Sequence, residues 1–147
     1  MSAKDYYANP DTLFPYALYP INYEVAKSVL KMTQYSCFEF GCHDGRNLDL
    51  IKFFHPAMEA AGMDINATAL NAGRTKFGLA DLRLGDEKTL YEIGSYLYDV
   101  VFTSSVLCHI DEGVGDILRQ MIRISRKGTL LVETQEPVGV YYYQHDY

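Results

Sequence analysis

The chain has 147 residues, a formal net charge of -6, 48% hydrophobic residues, 3 cysteines and no tryptophan. That length suits one globular domain spanning 1–147, with enough apolar material for a core, which argues against a disordered chain. No apolar run approaches the roughly 20 residues of a membrane-spanning helix, so no membrane partner is expected. The absence of a Lys or Arg block argues against a chain that coats nucleic acid. An odd cysteine count without paired spacing argues against both a disulfide framework and a zinc ribbon. The N-terminus, MSAKDYYANPDTLFPY, lacks the basic-then-apolar order of a signal peptide, so a cytoplasmic location is expected.

Residues 1–20 carry Tyr6, Tyr7, Tyr16 and Tyr19 among Pro10, Pro15 and Pro20. Three prolines so close together forbid a long helix, and the segment reads as an irregular aromatic arm packed on the body. The first helix, 21–34, follows from the stripe Ile21, Val25, Val29 and Met32. Apolar runs then alternate with helical stretches through the core, 35–134. The runs predict strands at Ser36–Phe40, Met58–Met63, Leu82–Leu84, Tyr98–Phe102 and Thr129–Val132. Leu48, Ile51 and Phe54 predict a helix ended by His55-Pro56, and Ala67, Leu70 and Ala72 another capped by Asn66. Residues 87–94 read as a short helix or turn. Val114, Ile117, Leu118, Met121 and Ile122 predict a further helix, with Lys127-Gly128 as its basic, glycine-terminated end. This order predicts an α/β fold: a Rossmann-like parallel sheet of about five strands with helices on both faces.

In such sheets ligands sit beyond the carboxyl ends of the strands, at the topological switch point. The first strand runs into Glu39-Phe40-Gly41-Cys42-His43-Asp44-Gly45-Arg46-Asn47. A glycine directly after a buried strand lets backbone approach a ligand. Asp64 ends the second strand 19 positions after Gly45, close to the roughly 20 expected for a carboxylate on ribose hydroxyls. The third strand ends Leu84-Gly85-Asp86-Glu87 and the fourth Phe102-Thr103-Ser104-Ser105. A dinucleotide site fails in detail, because a G-x-G-x-x-G fingerprint beginning at Gly41 puts His43 and Arg46 on its other two glycines. A nucleoside ligand without a pyrophosphate needs fewer exposed amides but still needs the ribose acid.

On these residues the chain resembles the class I S-adenosylmethionine-dependent methyltransferases from about Ser36 to Glu133. Its first motif, commonly E-x-G-C-G-x-G-R-N, matches Glu39 to Asn47. Gly62-Met63-Asp64 resembles the second motif and Gly85-Asp86-Glu87 the third. Tyr98 to Ile110 resembles the fourth, typically F-D-x-V-x-x-x-x-V-L-x-H-I. The resemblance implies S-adenosylmethionine as cofactor and transfer of its methyl group to an acceptor, with a small molecule as the default substrate. It implies Glu39 for the methionine amino group, Gly41 for close backbone approach, Asp64 for ribose and Asp86 for adenine. Cys42, Gly45 and Thr103 complete the implied cofactor-binding set. His109 is the candidate catalytic residue, as base or substrate anchor. The rival function is a non-catalytic S-adenosylmethionine-binding or interaction protein descended from a methyltransferase.

Two departures stand out. His43 occupies a position where the family has glycine, so its imidazole must turn away from the methionine moiety or touch it. The family's seven-stranded sheet ends in an antiparallel hairpin, and the tail 135–147 is too short to supply one. The fifth strand would then be a bare edge beside Tyr141, Tyr142 and Tyr143, so a homo-oligomer, most simply a dimer, is expected. Plainer readings stand beside the functional ones. Glu39 could bond loop amides, Asp64 could cap the next helix, Asp86 could belong to a turn, and His109 could be a packing residue. Cys42 and Cys108 read as small buried residues. His43, His55, His109 and His145 show no metal-ligand spacing, so no metal is expected.

Overall fold

Five short apolar runs pair into one sheet in a computed structural model that describes residues 3–9 and 18–133. In chain order the elements are α1 (Ala3–Ala8), α2 (Pro20–Met32), β1 (Ser36–Phe40), α3 (Arg46–Phe54), β2 (Glu59–Asp64) and α4 (Ala67–Phe77). There follow β3 (Leu82–Leu84), a 3-10 turn (Thr89–Glu92), β4 (Tyr98–Ser104), a second 3-10 turn (Leu107–His109), α5 (Val114–Ile124) and β5 (Ser125–Val132). The strand order is β3-β2-β1-β4-β5 and every pairing is parallel. Chain direction across the sheet reverses between β1 and β4, so the switch-point crevice opens at their carboxyl ends.

Helices cover both faces, which is why β1 is buried at all five positions, Ser36 and Glu39 included. On one face Val25, Ala26 and Val29 of α2 pack with Leu48 and Ile51 of α3 against Cys37 and Phe102. On the other, Ile117, Met121 and Ile124 of α5 meet Phe38, Phe40 and Val101. Asn66 caps α4 as its sequence position predicts: its side chain accepts a bond from the Ala69 amide at 3.0 Å.

Several expectations are corrected. The stretch 1–20 is not wholly irregular, because α1 forms within it and α2 already starts at Pro20. Proline has no amide to lose at a helix's first position. Helix α5 stops at Ile124, and Lys127-Gly128 lie inside β5. Lys127 serves a distant partner there, its ammonium lying 2.7 Å from the buried Asp99 carboxylate. Ile122 falls off the buried stripe of α5 and is 61% exposed, because the stripe continues through Ile124 instead. Strand β2 begins at Glu59 and β4 runs on to Ser104. Tyr16, His145 and the Tyr141–Tyr143 run lie outside the described residues, as does the tail. Among the described residues no helix is long and apolar enough to cross a membrane.

One glycine fixes how α4 seats against the loop after β1. A Cβ at Gly73 would lie 2.1 Å from the Asp44 backbone oxygen, and backbone has little room to yield. Gly73→Ala should therefore cost about 1–3 kcal/mol by overpacking. A denaturant midpoint equal to that of the unsubstituted chain would show that the loop yields freely.

Candidate functional site at the carboxyl edge of the sheet

The predicted residues Glu39, Gly41, Cys42, Gly45, Asp64, Asp86, Thr103 and His109 come from the carboxyl ends of β1, β2, β3 and β4 and the turns that follow. The loop after β1 is tightly wound. Gly41, His43 and Gly45 all have positive φ, at 74°, 51° and 78°. Only glycine adopts that region without strain, so His43 holds a conformation suited to the glycine its position resembles. The Gly41 and Cys42 amides both donate to the Met63 carbonyl, at 2.8 and 3.0 Å, tying the loop to β2.

Two side chains complete the tie. The Asp64 carboxylate accepts from the His43 amide at 2.7 Å and, through its other oxygen, from the Asn66 amide at 2.8 Å. Burial raises the Asp64 carboxyl and these amides pull it back. It thus links the turns after β1 and β2 and also contributes to the helix start, as its plainer reading has it. The Asp44 carboxylate takes a two-pronged Arg46 guanidinium at 2.9 and 3.0 Å, with the His43 ring 3.6 Å away. Burial raises Asp44, but the His43 ring and Arg46 outweigh it and hold the carboxyl at about 2. The imidazole of His43 is thereby drawn to Asp44.

Glu39 is the outlier. It is 1% exposed, and its Oε1 accepts from the Asn47 amide group at 2.6 Å, not from loop amides. Its Oε2 is buried with no partner. Burial pushes the carboxyl up to about 8, against the Asn47 bond, and the charges of Asp64 and Asp44 add to the rise. An orphaned buried carboxylate oxygen is costly unless a donor or cation meets it. A cationic amine suits that oxygen in chemistry and charge.

Asp86 accepts from the Lys88 and Thr89 amides at 3.0 and 3.3 Å, which is the turn role weighed in the sequence. It also holds the Lys4 ammonium at 2.7 Å, with Glu87 at 3.1 Å. Lys4 holds the Asp86 carboxyl down at about 2. The Asn66 side chain donates to the Asn9 carbonyl at 3.2 Å, so the N-terminal helix lies across the ends of β2 and β3.

Thr103 is fully buried, and its hydroxyl pulls the Glu133 carboxyl back from the rise that burial causes. Cys42 and Cys108 are buried thiols outside any disulfide, and burial raises Cys42 well above the usual range, which suits packing and not nucleophilic attack. His109 is half-buried and closes the second 3-10 turn, its amide donating to the Val106 carbonyl at 2.9 Å.

Three participants carry no local sequence signal. Glu133 accepts from the Val106 and Cys108 amides at 2.9 and 3.3 Å and so fixes the turn bearing His109. Val106 fills the space beside Gly41: a Cβ there would lie 2.3 Å from its Cγ2. Asn22 donates to Asn47 at 2.7 Å, behind Glu39. Gly41→Ala should lower the melting temperature, and Val106→Ala added to it should recover part of that loss. Equal melting of the single and double variants would place the cost in the positive φ alone.

Residues 38–131 match the family described as Methyltransferase domain. No curated protein sequence matches the chain. Among solved structures, the chain is similar to a SAM dependent methyltransferase from Archaeoglobus fulgidus. The two are 19% identical with a TM-score of 0.66, over 82% of this chain and 54% of that one. A second such methyltransferase, from Aquifex aeolicus, is 16% identical with a TM-score of 0.61, over 86% of this chain and 77% of that one. The cyclase SpnF is 15% identical with a TM-score of 0.63, over 72% of this chain and 40% of that one. The chain thus spans little more than half the length of the Archaeoglobus protein.

Proposed function

The chain belongs to the methyltransferase domain family, and on that premise we propose that it binds S-adenosylmethionine and transfers its methyl group to a small-molecule acceptor. The observation that carries this reading is the buried Glu39 Oε2 with no partner. A carboxylate held there suits the ammonium of a methionine moiety. Asp64 receives the ribose hydroxyls with lone pairs left over from its two amide bonds. Asp86 and the backbone after it receive adenine. Lys4 on Asp86 and Asn9 on Asn66 support an N-terminal segment that covers the adenosine end.

When bound, the sulfonium supplies an already electrophilic methyl group. The chain's own residues then mainly orient two reactants in line. His109 contributes as base only where the acceptor must lose a proton. Titration calorimetry with S-adenosylmethionine and S-adenosylhomocysteine tests the reading, followed by assay for the latter over a panel of metabolites. Failure to bind either ligand would reject it.

A second reading is a binder without methyl transfer, and the likeness to a cyclase shows that this fold is found in a protein named for other chemistry. Binding with no turnover on any acceptor would favour it. Strand β5 is one of the two sheet edges among the described residues, the short β3 being the other, and self-association through the longer β5 edge is part of the proposal. Light scattering over a dilution series should report a dimer. A monomer at every concentration would remove it.

A further inference from the structure

A directed chain of hydrogen bonds runs from the start of α2 to Glu39. The Tyr19 amide donates to Asn22 Oδ1 at 2.8 Å. Asn22 Nδ2 donates to Asn47 Oδ1 at 2.7 Å, and Asn47 Nδ2 to Glu39 Oε1 at 2.6 Å. Asn22, Asn47 and Glu39 are all buried, with 6%, 6% and 1% of their surface exposed.

The chain has one polarity. The Tyr19 amide can only donate, so Asn22 must present its oxygen to it and its NH2 to Asn47. Asn47 is then forced to accept from Asn22 and donate to Glu39. The carboxylate thus has one oxygen fixed by a donor and the other left bare. A rotated Asn47 would set its oxygen against the carboxylate, which is repulsive at this range.

We propose that Asn22, acting through Asn47, is a positioning residue that fixes the Glu39 carboxylate so that Oε2 receives the ammonium of the bound ligand. This rests on the cofactor reading above and adds to it a residue from outside the motif-bearing core. It also ties the first turn of α2 to the amino-acid end of the ligand, while the adenosine end is held by β2 and β3.

The test uses two probes: S-adenosylhomocysteine, which has the amino-acid moiety, and 5'-methylthioadenosine, which lacks it. Asn22→Leu removes both Asn22 bonds and leaves Asn47 with no donor to fix which way its amide faces. Asn22→Asp keeps an acceptor for the Tyr19 amide, and so the helix start, but cannot donate to Asn47. In both variants the Kd for S-adenosylhomocysteine should rise about tenfold, while that for 5'-methylthioadenosine stays within about twofold. Thermal melting of each variant checks that it is folded. Equal weakening of both probes, or of neither, would overturn the inference, since a merely structural Asn22 would disturb the pocket as a whole. Failure of the unsubstituted chain to bind S-adenosylhomocysteine would instead reject the cofactor reading, and the inference with it.

Discussion

Glu39→Gln should weaken S-adenosylhomocysteine binding about 100-fold and at the same time stabilise the unliganded protein at pH 8. Both effects come from one side chain. Glutamine keeps the acceptor for Asn47 but puts an NH2 group where Oε2 lies buried and bare. A donor there opposes an ammonium, and losing one member of a desolvated charge pair costs about 3 kcal/mol or more.

The stability effect has a definite sign. The folded carboxyl stands at about 8, above its ordinary 4.5, because burial penalises the charged form. The folded state therefore keeps its proton where the unfolded chain has lost it. Glu39's contribution to stability is full below about 4.5 and is lost as pH rises through 8. The glutamine variant has no such loss, so the two melting curves should diverge across that window. Ligand affinity should run the other way in the unsubstituted chain, rising towards pH 8 as Glu39 ionises. The groups facing Glu39 are Asn47, Asp64, Asp44, Arg46 and the thiols of Cys37 and Cys42. Burial pushes Cys37 up to about 12 and Cys42 well above its usual range, so neither titrates in this window. A flat affinity profile from pH 6 to 8 would mean that the ligand's ammonium does not meet this carboxylate.

The strand ends were legible because an α/β sheet brings them to one edge whatever their side chains do. Ser36–Phe40 was readable to the residue, since Cys37, Phe38 and Phe40 make a short apolar run closed by a glycine turn, although Ser36 and Glu39 are buried with them. Asn66 was readable because a cap is a local bond. What escaped depends on partners far along the chain. Lys127 resembled a helix end until Asp99, on the neighbouring strand, gave it another use. Helix α1 has six residues, too few to stand alone, and it is anchored by Lys4 on Asp86 and Glu87.

The site shows the same division. Glu39, Asp64 and Asp86 were placed by motif, but their bonding partners were not. Asn22 sits inside an amphipathic helix, where a polar residue reads as solvent-facing, yet it is buried against Asn47. Glu133 has no neighbour in sequence to mark it, because the amides it satisfies lie 25 and 27 positions away. Gly41 was read as letting backbone approach a ligand, and a Cβ added there would also meet Val106, which its position in sequence does not announce. Spacing can state that a glycine leaves room, but not what takes it.

Asp64→Ala should separate binding from folding at the other end of the site. The carboxylate oxygens accept from His43 at 2.7 Å and Asn66 at 2.8 Å, so alanine leaves two amides without a partner. Asp64 is only half-buried, and water can reach part of that space. The stability cost should then be about 1–2 kcal/mol, near the low end for bare donors. Binding should suffer more. Charge-assisted bonds to ribose hydroxyls are worth about 2–3 kcal/mol together, so S-adenosylhomocysteine affinity should fall roughly 30- to 150-fold. Asp64→Asn keeps one acceptor and turns a donor towards one of the two amides, so it should fold no better than alanine. Adenine alone, which carries no ribose, should bind the Asp64→Ala protein as it binds the original. Lowered melting with unchanged S-adenosylhomocysteine affinity would leave Asp64 as a clamp between two turns and remove it from the ribose.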